Sequence, residues 1–124
     1  MSLEGIKVLL VEDELLIREL FEFTLAMHRA EVRTASKVSD AMQVLNNWTP
    51  DVVITDIGLP ESDGYALIRF LRSAAGTQSL PIIALSGYVS VNHEEKSTDP
   101  YLLKISKPVD PDYLIQVITE QTHR

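Results

Sequence analysis

The stretch "VVITDIGLP", Val52 to Pro60, opens with four β-branched residues and turns on a carboxylate, Asp56, before reaching Gly58 and Pro60. An unbroken β-branched run bounded by turn residues is the pattern of a strand buried on both faces. A strand of that kind has no need of a terminal aspartate for packing, so Asp56 requires a separate reason. Outward from it, "IKVLLV" (6–11), "EVRTA" (31–35), "DVVIT" (51–55), "PIIALS" (81–86) and "YLLKIS" (101–106) alternate with longer segments, most of them helix-like. Five such βα units predict an α/β fold, a parallel sheet with helices on both faces.

The helical segments carry their own signals. After Glu12-Asp13-Glu14, Leu16, Leu20, Phe23 and Met27, with Ile17, Phe21 and Leu25 beside them, recur at helical spacing and predict a broad apolar face. A second helix is expected over about 38–47, with Ala41, Val44, Leu45 and Trp48 on one side. A third follows Asp63-Gly64 and buries Ala66, Leu67, Phe70 and Leu71. The last is expected to start at an Asp110 cap with Pro111 in the first turn, ahead of Leu114, Val117 and Ile118. The fourth unit, "GYVSVNHEEKSTDP" (87–100), has few good helix formers and predicts only a short helix.

With 124 residues and 45% hydrophobic content, the chain fits one domain, residues 1–124. The leading Met1-Ser2-Leu3 is compatible with an expression scar, and the domain with a piece excised from a longer protein. Eighteen acidic against 11 basic residues give a net charge of −7, which disfavours direct nucleic-acid binding. There is no cysteine, so disulfides and thiolate metal sites are excluded. No apolar run is of membrane-spanning length and no signal peptide opens the sequence, so the expected location is the cytoplasm.

In an open parallel sheet, ligands bind beyond the carboxyl ends of the strands. Glu12 and Asp13 close the first strand, Asp56 follows the third, Ser86 ends the fourth, and Lys107 follows the fifth just before Pro108. Each alone has a bland reading: acidic residues suit helix starts, Asp suits turns, and a lysine before proline is ordinarily solvated. Together, residues far apart in the chain meet at one rim. Three converging carboxylates raise one another's pKa unless a cation sits among them. A donor set of oxygens alone suits a hard ion, Mg²⁺ or Mn²⁺. Such an ion, a lysine and a hydroxyl around one carboxylate also suit phosphoryl transfer to that carboxylate. The histidines at 28, 93 and 123 show no ligand spacing.

These residues resemble the receiver domain of two-component response regulators: the acidic pair Glu12-Asp13, "DIGLPESDG" (56–64), Ser86 followed by Gly87, and Lys107-Pro108. The resemblance implies a flavodoxin-like, doubly wound (βα)5 three-layer sandwich whose five strands run in the order 2-1-3-4-5. It implies that Asp56 takes a phosphoryl group from a phosphohistidine on a histidine kinase or a histidine phosphotransfer protein. Glu12, Asp13, Asp56 and the backbone carbonyl of Gly58 would bind Mg²⁺ (or Mn²⁺). Lys107 would pair with the phosphate, Ser86 would hydrogen-bond it, and the Lys107-Pro108 bond is expected to be cis. The resemblance further implies a signalling phosphoacceptor rather than an enzyme with external turnover, present as a monomer or a weak phosphorylation-dependent dimer.

Three departures from the pattern stand out. Arg29-Ala30 occupies the place where a glycine often ends the first helix, so a left-handed cap kept there would cost about 1 kcal/mol. Lys104 replaces the aromatic residue usual three positions before the phosphate-binding lysine, and Tyr101 lies on the opposite face of that strand. The fourth helix lacks the usual alanine-rich run. A flavin-binding electron carrier is disfavoured because "VEDELL" (11–16) would repel a phosphate. An Asp-nucleophile phosphatase usually wants a second Asp where Gly58 stands. A degenerate receiver, binding proteins without phosphorylation, is the remaining alternative.

Overall fold

The structure, a computed structural model, describes residues 2–57, 65–86 and 99–123. Five parallel strands, β1 (Lys7–Val11), β2 (Glu31–Ala35), β3 (Val52–Asp56), β4 (Ile82–Ser86) and β5 (Leu102–Ser106), lie in the order β2-β1-β3-β4-β5. Among the described residues the helices are α1 (Leu15–Met27), α2 (Val38–Leu45), α3 (Tyr65–Ser73) and α4 (Pro111–Thr122). The helix expected within 87–100 has most of its span, and the Gly58 carbonyl all of its position, outside the described residues.

Alternation along the central strands builds two cores. Leu9, Val11 and Val53 pack with Val38 and Ala41 of α2 and Leu67, Ile68 and Leu71 of α3. Val8, Leu10, Val52 and Ile54 pack on the other face with Phe21 and Leu25 of α1 and Leu114, Val117 and Ile118 of α4. Successive side chains of a strand point to opposite faces, so a run apolar at every position feeds both layers at once. All five residues of β3 are buried, as the opening stretch predicts, and Asp56 is its last residue rather than the first beyond it. Leu3 is fully buried in the second core and donates its N–H to His28 O.

Helix boundaries follow the local signals. Asp110 caps α4 by accepting from the Asp112 N–H at 3.0 Å, with Pro111 at the start. The end of α1 keeps the left-handed geometry without glycine: Arg29 has φ 73°, its N–H donates to Ala26 O, and the Ala30 N–H donates to Leu25 O. That pairing is a Schellman closure.

The expected apolar face of α1 divides in two. Phe21 and Leu25 face the core, with Ile17 packed beside them, whereas Leu16, Leu20, Phe23 and Met27 are at least half exposed. A helix lying on a sheet offers it only a limited arc, and the Phe21–Leu25 row takes that arc. Phe70 is likewise exposed, and Ile68 takes the buried place beside Leu67 and Leu71.

Candidate functional site

The chain leaves the sheet at Val11, but Glu12 stays tethered: its N–H donates to Ala35 O at 3.0 Å and its carbonyl accepts from Arg18 Nη1 at 2.8 Å. The Glu12 side chain is fully buried and Asp13 beside it is exposed. Parallel pairing puts the end of β3 next to the end of β1, and Asp56, 5% exposed, opens toward them. One carboxylate oxygen from each of Glu12, Asp13 and Asp56 lies within 4.8 Å of the others.

Lys107 reaches into this group from the far side of the sheet. It follows β5 directly, its N–H donates to Ser86 O at 2.7 Å, and its peptide bond to Pro108 is cis. Its Nζ donates to Asp56 Oδ2 at 2.5 Å and to Glu12 Oε1 at 3.0 Å. Ser86, half-buried, ends β4 opposite Ser106, so it stands at the same rim between Asp56 and Lys107 along the strand order. The structure thus brings together Glu12, Asp13, Asp56 and Lys107 and places Ser86 at the adjacent strand end.

One lysine does not balance three carboxylates. Burial pushes the Glu12 carboxyl up to about 7, the nearby Asp56 adds to the rise, and the hydrogen bond from Lys107 opposes it. Burial pulls Lys107 down, but its bonds to Asp56 and Glu12 outweigh this and hold it above the usual lysine value. The second oxygen of Glu12 is buried with no hydrogen-bond partner among the described residues. A buried carboxylate oxygen without a donor, beside two further carboxylates, fits a divalent cation with hard oxygen ligands.

Two contacts escape a reading of the sequence alone. Arg18, which grips the Glu12 carbonyl, is the only cation in α1, and that isolation among apolar and acidic neighbours is the signal it left. Lys104, half-buried on β5, lies with its Nζ 5.2 Å from the centroid of the Tyr65 ring at the start of α3. The sequence marked the unusual lysine but not its aromatic partner, because the two belong to different elements.

Comparison with known proteins agrees with this arrangement. The profile of the response regulator receiver domain matches residues 8–119. The chain is 35% identical over 119 residues to the transcriptional regulatory protein GltR of Pseudomonas aeruginosa, covering 93% of this chain and 48% of that protein. It is 33% identical over 120 residues to the response regulator Rre1 of Synechocystis, covering 93% and 51%. The chain therefore spans about half the length of these two relatives. Among solved structures, a CheY-like receiver domain protein of Methanospirillum hungatei superposes with a TM-score of 0.83 at 24% identity, over 98% of this chain and 95% of that one, a likeness of fold.

Proposed function

Because the chain belongs to the response regulator receiver domain family, a family of signalling domains, we propose that Asp56 is its phosphoacceptor and that a phosphohistidine on a histidine kinase or phosphotransfer protein is the donor. The observation that carries this is the Asp56 carboxylate, held at the rim between two further carboxylates and the Lys107 ammonium. A carboxylate oxygen of Asp56 attacks phosphorus, the P–N bond to the imidazole breaks, and the imidazole leaves with a proton from solvent. Attack of water on the same phosphorus later releases phosphate and restores the carboxylate.

Glu12, Asp13, Asp56 and the Gly58 carbonyl would hold Mg²⁺ or Mn²⁺, which when bound supplies the charge that offsets the gathered carboxylates and the incoming phosphoryl oxygens. Lys107 already spans Glu12 and Asp56, so it needs only a small shift of its Nζ to pair with a phosphoryl oxygen on Asp56. Ser86 donates its hydroxyl to another. Drawing Lys107 and Ser86 toward the phosphate shifts a pre-existing equilibrium of the face formed by β5 and α4. The donor approaches along the exposed α1 row, since Leu20 of that row shares with Lys107, Pro108 and Val109 a cleft of about 370 Å³. The domain acts in the cytoplasm, as a monomer or a weak phosphorylation-dependent dimer, without touching nucleic acid itself.

Intact-mass measurement after incubation with acetyl phosphate and Mg²⁺ tests the reading. One added phosphoryl group is expected, absent from Asp56→Asn and from a chelated sample. Lys104, engaged with Tyr65 where an aromatic residue is usual, favours a second reading, a phosphorylation-independent interaction module. No adduct, together with no Mg²⁺-dependent beryllofluoride binding, selects that second reading.

A further inference from the structure

The turn between β1 and α1 carries two of the three gathered carboxylates, yet little in it is self-supporting. Glu14, at the N-cap, makes no side-chain capping bond, and the first turn of α1 has no acidic residue. Besides the Lys107 ammonium on its carboxylate, Glu12 is held through its main chain: its N–H is tied to Ala35 of β2, and its carbonyl accepts from the guanidinium of Arg18, one turn into α1. We propose that Arg18 is a positioning residue for the acidic group, clamping the Glu12 carbonyl so that Glu12 and Asp13 are presented to Asp56 at ligand spacing. This rests on the proposed reading of that group as a metal site.

Guanidinium suits the task. It stays charged at every physiological pH, and a charge-assisted bond to a carbonyl is stronger than a neutral one. Partly buried on α1, Arg18 transmits the position of a packed helix to a turn that lacks a cap. Outer partners that orient metal ligands typically change metal affinity 10- to 100-fold when removed. The sign separates positioning from plain electrostatics. Deleting a cation beside a metal site raises affinity for Mg²⁺ if charge alone matters, and lowers it if the cation holds the ligands in place.

Calorimetric titration of Mg²⁺ into the wild type, Arg18→Ala and Arg18→Lys, with amide exchange of residues 12–15 in metal-free protein, tests this. Arg18→Ala is expected to bind Mg²⁺ about 10-fold more weakly and to exchange those amides faster. Saturating Mg²⁺ is expected to restore its rate of phosphorylation by acetyl phosphate, and Arg18→Lys to lie between the two. Should Arg18→Ala fail to fold, Arg18→Lys carries the comparison. Equal or tighter Mg²⁺ binding by the folded variants overturns the positioning role while leaving the metal site intact. A wild type that binds no Mg²⁺ overturns the metal site itself and this role with it.

Discussion

At the scale of single residues, burial sets the charge state of Glu12. Its folded pKa of about 7 lies above the ordinary 4.5, so the native state holds a proton that the unfolded chain has already lost in that interval. The contribution of Glu12 to stability is therefore complete below pH 4.5 and falls as pH rises toward 7. Metal-free wild type measured against Glu12→Gln is expected to show a stability difference that changes with pH in that window. Parallel curves for the two proteins would contradict this. Lys107 works in the other range: its raised pKa gives stability present below 10.5 and lost as pH rises through the folded value. Arg29 offers an independent check on backbone strain. Its φ of 73° is disfavoured for a side chain with a Cβ, and its ion pair with Glu4, at 3.9 Å and well exposed, gives little in return. Arg29→Gly is expected to raise stability by about 0.5–1 kcal/mol in urea unfolding, with an unchanged m-value.

At the scale of elements, α1 serves two faces. The row Phe21–Leu25 anchors it to β1 and β3 and to α4, while Leu16, Leu20, Phe23 and Met27 stay at least half exposed and extend from the cleft beside Lys107. Exposed apolar rows of that size mark contact surfaces more often than they serve the fold. Leu16→Ser combined with Phe23→Ser is expected to slow phosphoryl transfer from a phosphohistidine donor at least about 10-fold, since a few buried apolar anchors carry most binding energy. The rate with acetyl phosphate is expected to be unchanged. An equal loss with both donors would place the defect in the site rather than in docking. The α4 start is the simpler case: Asp110→Ala removes the acceptor of the Asp112 N–H and is expected to cost about 1 kcal/mol in denaturant unfolding.

At the scale of the whole molecule, a metal held at the acidic rim, as proposed, would couple to folding. Anything that binds only the native state stabilises it by mass action, about 2.7 kcal/mol at a hundredfold excess over Kd. Millimolar Mg²⁺ is therefore expected to raise the melting temperature by several degrees over a chelated sample, and equal melting would count against the site. No helix among the described residues is long and apolar enough to cross a membrane. Much of this organisation is legible in the chain itself. The strands follow from β-branched runs, and the parallel arrangement from their alternation with helices, because backbone pairing and side-chain period are local properties. The rim residues follow from their places at strand ends. Asp110 and Pro111 announce the start of α4, and the missing glycine announces the strained close of α1. Contacts between elements are different. Which row of α1 turns inward, that Arg18 grips the Glu12 carbonyl, that Lys104 lies over Tyr65, and that Glu12 is buried with one oxygen unpaired among the described residues were all decided by tertiary packing. The physical reason is that hydrophobic period and turn chemistry act within a few residues. The dehydration of Glu12 and its balance against Lys107, by contrast, exist only once the ends of β1 and β5, which carry residues 95 apart in sequence, are brought to one rim of the sheet.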